Sequence, residues 1–125
     1  ALSTMGDIRP NASILVYPCI LESISPILAG PVPSLDEKVD ANTPPAFIFH
    51  AAQDDCVPVE HPLAFATALA KAGVPFELHV FEKGYHGFST SNNWVYDKQE
   101  HVDYLAHTKC WVEMSVRWLD KRFNS

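Results

Sequence analysis

The sequence is poor in the features that mark secreted, membrane-spanning or nucleic-acid-binding proteins. Its 125 residues include only three cysteines, too few and of the wrong parity for a disulfide framework. No apolar run approaches the ~18 residues of a transmembrane helix. The net charge of -6 argues against nucleic acid or an anionic membrane surface as the main partner. We therefore expect a cytoplasmic protein that binds neither of them.

The composition that remains is that of a globular domain. Apolar residues make up 47% of the chain and charged residues 19%, which disfavours a disordered chain and provides for a real core. The chain contains no internal repeat and no low-complexity tract. We therefore treat residues 1–125 as a single unit.

Three short apolar segments predict strands, at residues 12–17, 46–49 and 75–81. Between the second and third, apolar residues recur at helical spacing, and Gly73 is suited to ending that helix. These helical positions are Phe65, Ala68, Leu69 and Ala72. A strand, a helix and a strand in this order predict a right-handed crossover between parallel strands. The sequence therefore favours the α/β class.

The other segments are less regular. Prolines at four positions predict a loop over residues 18–33, and residues 34–37 have the spacing of a capping box before a short helical turn. A polar stretch predicts a long loop over residues 89–106. A final helix is expected from about Thr108, with its core stripe formed by Val112, Val116, Leu119 and Phe123.

A carboxylate and a histidine follow the second and third predicted strands. Asp54 comes after one strand and His86 after the next. The carboxyl ends of parallel strands share one edge of a sheet, which is where open α/β sheets bind ligands. We therefore expect the two side chains to meet as the acid and base of a nucleophilic triad. The neighbouring Asp55 is expected to cap the turn before residues 57–58.

Other candidate groups favour ordinary roles. Cys56 lacks a nucleophile turn, so we expect an inert thiol. His101 and His107 are not at a tight metal-binding spacing, so no zinc site is expected. His50 and His79 belong to strands, where histidines usually have a structural role.

His61 is expected near the start of a helix. The aromatic residues of the 89–106 stretch leave two interpretations open. They could line an acyl or sugar pocket, or they could simply pack; they are Trp94, Tyr96 and Tyr104.

Three motifs together resemble a known family. They are Tyr17-Pro18, the segment His-Ala-Ala-Gln-Asp-Asp-Cys-Val-Pro at residues 50–58, and Gly-Tyr-His-Gly-Phe at residues 84–88. They are similar to the C-terminal part of α/β-hydrolases, namely small acetyl-xylan-esterase-like carboxylesterases and the prolyl oligopeptidase superfamily. The resemblance implies that Asp54 is the triad acid and His86 the base. It also implies a small-molecule or carbohydrate ester substrate and no cofactor.

The sequence departs from this family at the nucleophile. No serine lies between two glycines in the Gly-x-Ser-x-Gly pattern of the family's strand-to-helix turn. We therefore expect the serine upstream of Ala12, on the N-terminal part of the same enzyme, and we expect this chain to be inactive alone. The resemblance places the 12–17 strand beside an upstream strand that this sequence does not contain, so its exposed edge should favour self-association. Two alternatives stay open, a prolyl oligopeptidase-type serine peptidase segment and a non-catalytic α/β scaffold or binding module.

Overall fold

The computed structural model describes residues 1–92 and 98–124. Within these ranges the chain forms a three-stranded sheet with helices on both faces. Its elements are α1 (Leu2–Met5), β1 (Ser13–Val16), a 3₁₀ helix (Glu22–Ile27), a 3₁₀ turn (Asp36–Lys38), β2 (Ala46–Ala51), α2 (Glu60–Lys71), β3 (Phe76–Phe81), α3 (Gln99–Tyr104), a second 3₁₀ turn (Ala106–Lys109) and α4 (Cys110–Phe123).

The strands are parallel and lie in the order β1-β2-β3. Ser13 is opposite Ala46, and Ala46 is opposite Phe76, so the three strands start level with one another. This confirms the predicted strands and the parallel crossover through α2. Because the strands are parallel, the loops that follow β2 and β3 lie at the same edge of the sheet.

β2 is buried on both faces, as expected for the central strand of a covered parallel sheet. Ala46 and Ile48 face a core shared with α2, which also contains Phe65 and Leu69. On the opposite face, Phe47, Phe49 and Ala51 join Phe88, Leu105 and Trp118. Both halves of the core thus depend on one strand, and that strand leads directly into the loop that carries Asp54.

The α2 helix was correctly predicted from its apolar spacing. Pro62 occupies the first turn, where a missing N–H costs no hydrogen bond. The helix ends at Lys71, and Gly73 has a φ of 70°, in the left-handed region that glycine adopts without strain. Leu69 is fully buried, which anchors this crossover against the sheet.

The predicted core stripe of α4 is only partly correct, because Leu119 packs against the core but its three other members do not. Val112, Val116 and Phe123 are exposed, whereas Trp118 is buried and Trp111 packs against the same core. The tryptophan rings bury far more apolar area than valine side chains, so burying them decides which face of the helix turns inward. The start of the helix at Cys110 agrees with the expected beginning near residue 108.

Two predicted loops contain helical segments. A 3₁₀ helix occupies Glu22–Ile27 within the proline-rich stretch, with Ile24 buried. The stretch 89–106 contains α3, while Trp94 and Tyr96 fall outside the described residues. The short helical turn after Ser34 is present, but the capping box is not, because the Ser34 hydroxyl accepts a hydrogen bond from the Glu22 N–H.

Among the helices of residues 1–92 and 98–124, none has the length and apolar character needed to cross a bilayer.

Candidate active site

Asp54 and His86 meet at the carboxyl edge of the sheet. Asp54 Oδ2 lies 2.9 Å from His86 Nδ1, and Oδ1 lies 3.2 Å from the same nitrogen. A carboxylate only accepts hydrogen bonds, so Nδ1 carries the proton and donates a hydrogen bond to Asp54. His86 Nε2 makes no hydrogen bond within the described parts of the chain. The expected contact is therefore present, and it leaves Nε2 open to act as a base.

The two partners differ in their access to solvent. The Asp54 side chain is fully buried, whereas the side chain of His86 is 31% exposed. A buried carboxylate that orients an accessible imidazole is the arrangement required of a triad acid and base.

The turn after β2 holds the Asp54 side chain through two backbone hydrogen bonds. Asp54 Oδ1 accepts the backbone N–H groups of Cys56 at 2.9 Å and Val57 at 2.7 Å. Bonds from an aspartate side chain to the N–H groups two and three residues later are those of an Asx turn. Oδ1 is thus shared between the turn and His86, while Oδ2 is directed at His86.

The role expected for Asp55 is wrong, because Asp54 caps this turn itself. Asp55 Oδ1 instead accepts the backbone N–H of His86 at 3.3 Å. The first residue of an Asx turn is the one whose side chain folds back onto the turn, and here that residue is Asp54. Asp55, one position later, extends across to the loop after β3 and helps to position its backbone.

Tyr17 is a third member of the site that spacing alone did not reveal. Its ring lies edge-on to the imidazole of His86, with centroids 4.8 Å apart, and it also contacts Phe88. Its φ of 42° is unusual for a tyrosine and turns the chain away from β1. Burial, and then the nearby charge of Asp54, raise the pKa of the phenol. The Tyr17-Pro18 pair was the only signal of this position in the sequence.

The cysteines near the site do not provide a nucleophile turn. Cys19 and Cys56 are free and exposed. Burial of its thiol, followed by the effects of Cys56 and Asp54, raises the pKa of Cys19, which disfavours the reactive thiolate. Cys56 contributes its backbone N–H to the Asp54 turn.

The histidines expected to be structural have local partners. His50 Nε2 lies 2.8 Å from the Val57 carbonyl oxygen, and His79 Nε2 lies 2.7 Å from Glu77 Oε1. His61, at the start of α2, accepts hydrogen bonds from two backbone N–H groups. Burial lowers the pKa of both His50 and His61.

The loop histidines His101 and His107 lie beside aromatic rings. In the chain as described, without residues 93–97 and 125, no three metal-ligating side chains cluster together. His107 packs edge-on against Phe81, and Tyr104 stacks on Tyr85 with ring centroids 6.4 Å apart.

Two comparisons with known sequences identify relatives of this chain. The family model of the Prolyl oligopeptidase family matches residues 30–109. The chain is 37% identical over 99 residues to "Endo-1,4-beta-xylanase B" of Butyrivibrio fibrisolvens, a match that covers 68% of this chain and 16% of that protein.

Solved structures agree with the fold. An α/β hydrolase enzyme from a Medee basin deep-sea metagenome library superimposes with a TM-score of 0.80 and 39% identity, covering 96% of this chain and 47% of that one. An acetyl ester-xyloside bifunctional hydrolase from Caldicellulosiruptor lactoaceticus gives a TM-score of 0.67 and 32% identity, covering 90% and 43%. A sugar hydrolase from Lactococcus lactis gives 0.76 and 32%, covering 93% and 50%.

This chain spans half or less of the length of these relatives. Its sequence matches the family over most of its length, and its sheet and helices superimpose on those of α/β hydrolases. The chain belongs to the prolyl oligopeptidase family, and it has the fold of the α/β-hydrolase carboxylesterases.

Proposed function

We propose that this chain supplies the acid and base of a serine carboxyl-ester hydrolase that acts on acetyl esters. One observation carries the proposal, the 2.9 Å contact between buried Asp54 and partly exposed His86, which leaves His86 Nε2 open. The serine nucleophile would come from an N-terminal part of the same enzyme.

The proposed reaction has two acyl-transfer steps. His86 Nε2 takes the proton of the serine hydroxyl as its oxygen attacks the ester carbonyl carbon. Asp54 keeps the proton on Nδ1 and stabilises the imidazolium that forms. The imidazolium then protonates the departing alcohol, which leaves an acyl-enzyme. Water, deprotonated by the same imidazole, attacks the acyl carbon, and the imidazolium returns this proton to the serine oxygen as the acid leaves.

The proposed substrate class is an acetyl ester of a small molecule or a carbohydrate. Support comes from the relatives, which include an acetyl ester-xyloside bifunctional hydrolase at 32% identity and a xylanase at 37%. The match to the Prolyl oligopeptidase family supports a second candidate, hydrolysis of a peptide bond by the same pair of residues.

A hybrid enzyme tests the proposal. The N-terminal part of the deep-sea α/β hydrolase would be joined to this chain, in place of that enzyme's own matching segment. We expect the hybrid to hydrolyse p-nitrophenyl acetate and to release acetate from acetylated xylan. His86→Ala should lower kcat by about 10⁶-fold and Asp54→Ala by about 10⁴-fold. His79→Leu is the matched control, because this histidine lies on β3 and pairs with Glu77 instead.

The outcomes separate the alternatives. Cleavage of prolyl peptide substrates without ester turnover would favour the peptidase. A folded hybrid that retains its activity in His86→Ala would contradict the assigned base. If the hybrid does not fold, residues 50–58 and 84–88 can be exchanged into the intact deep-sea enzyme. Loss of esterase activity on this exchange would contradict the proposal.

A further inference from the structure

His50 is a buried histidine that the proposed reaction does not use. It lies in β2 with no exposed surface, and its Nε2 is 2.8 Å from the Val57 carbonyl oxygen. Because a carbonyl oxygen only accepts hydrogen bonds, Nε2 must carry a proton. The buried Nδ1 has no hydrogen-bond partner within residues 1–92 and 98–124. The surroundings therefore fit one form of the ring, the neutral Nε2–H tautomer.

The bond from His50 closes the loop that contains Asp54. Val57 is held at both of its polar groups, since its N–H donates to Asp54 Oδ1 and its carbonyl accepts from His50. Val57 is itself buried, so neither group can turn to water instead. The turn that orients Asp54 is thus tied to the central strand by one imidazole.

The position of His50 also bears on the carboxylate. Its Nε2 lies 3.7 Å from Asp54 Oδ2, the oxygen that accepts the shorter hydrogen bond from His86 Nδ1. This distance is too long for a hydrogen bond. The positive end of the N–H dipole is nevertheless close to the carboxylate and favours this position of Oδ2.

We propose that His50 is the positioning residue of the triad acid. As a neutral Nε2–H donor, it fixes the Asp54–Val57 turn and so holds the Asp54 carboxylate against His86. An apolar side chain of similar volume would leave the buried Val57 carbonyl without a donor. A proton on Nδ1 would place a second donor where the described residues offer no acceptor. The catalytic consequence rests on the proposed function, but the tautomer and the loop contacts do not.

Two substitutions distinguish donation from space filling. His50→Gln keeps an amide N–H near the position of Nε2, whereas His50→Leu fills the site without a donor. His79→Leu again removes a histidine from the sheet without touching the turn. Selective ¹⁵N-histidine NMR would report which nitrogens of His50 and His86 are protonated. Amide exchange at Val57 would report how firmly the turn is held.

We expect wild-type His50 to have a protonated Nε2 and an unprotonated Nδ1. In His50→Leu, we expect exchange at Val57 to speed up about 10- to 100-fold and the His86 proton to divide between its two nitrogens. In the hybrid enzyme, kcat should fall about 100-fold with KM unchanged, because His50 is buried away from substrate while small displacements of catalytic groups are costly. His50→Gln should recover most of each loss, and His79→Leu should change none.

Each other result overturns the proposal. Unchanged exchange and kcat in His50→Leu would show that the residue only fills space. A folded His50→Gln as defective as His50→Leu would contradict the donor argument. If His50→Leu does not fold, a wild-type His50 protonated on Nδ1 would still refute it. An inactive hybrid with the expected tautomer and exchange results would count against the proposed function, not against the role of His50.

Discussion

His61 predicts a specific dependence of stability on pH. Its side chain is buried, and its Nδ1 accepts the N–H groups of Ile20 at 2.9 Å and Leu21 at 3.0 Å. A proton on Nδ1 would remove both bonds at once, so the folded state requires the neutral ring. Replacement by asparagine keeps an acceptor close to the position of Nδ1 but cannot be protonated. We therefore expect His61→Asn to remove the pH dependence while retaining these bonds.

The sign and size follow from the pKa of this group. Burial, and then the proximity of His50, lower the pKa of His61, while Glu60, Asp36 and Asp54 oppose the shift. Below the usual histidine pKa of about 6.5, the unfolded chain binds a proton that the folded chain does not. The free energy of unfolding therefore decreases as the pH falls from about 6.5 toward the folded pKa. One such group contributes a slope of up to about 1.4 kcal/mol per pH unit.

Urea unfolding of the hybrid enzyme, followed by tryptophan fluorescence from pH 8 to pH 5.5, measures this slope. The free energy of unfolding of His61→Asn should differ from that of the wild type by a few tenths to about 1 kcal/mol at pH 8. Below pH 6.5, it should rise steadily relative to that of the wild type. His61→Leu, which leaves two N–H groups without an acceptor, should cost about 1–3 kcal/mol throughout. Parallel pH curves for the wild type and His61→Asn would refute the reasoning.

Three further predictions concern activity, stability and self-association. Alone, it should hydrolyse p-nitrophenyl acetate no faster than buffer with imidazole; turnover that survives loss of His86 but not of a serine in this chain would contradict this. Gly84→Ala should destabilise the hybrid by about 1–3 kcal/mol, because the new Cβ would lie 2.7 Å from the Ala51 Cβ. Gly30→Ala, with open space around it, should not destabilise the hybrid. Equal melting temperatures of these two variants would disprove the clash. In sedimentation, the chain should self-associate and Ile14→Lys on the edge strand β1 should shift it toward monomer; a monomeric wild type would argue against an exposed edge.

The strands, the crossover helix and the Asp54–His86 contact could be predicted from the sequence because each depends on a repeating rule. Apolar period identifies strands and helices, and parallel strands bring the residues that follow them to one edge. The exchange of roles between Asp54 and Asp55 could not be predicted in this way. It depends on which side chain folds back onto the turn, and adjacent aspartates give the same pattern in sequence.

The face of α4 shows a different limit. Its valine stripe and its tryptophans both recur at helical spacing, so the pattern allows two orientations. The choice depends on the volume available over the sheet, where Trp118 packs against Phe47 and Trp111 against Phe49. That volume is a property of the assembled core. Likewise, Tyr17 directly follows β1 and has a left-handed backbone conformation. Tyrosine has no local preference for this conformation, so the sequence does not indicate it.

At Tyr17, a strained backbone conformation lowers stability while the side chain contacts the candidate base His86. A non-glycine residue with φ near 42° stores about 1–2 kcal/mol of backbone strain. Glycine at this position would relieve this strain, which offsets part of the stability lost with the ring contacts. It would also remove the aromatic ring that contacts the His86 imidazole. A screen for expression or melting temperature would therefore penalise this change less than a screen for turnover does.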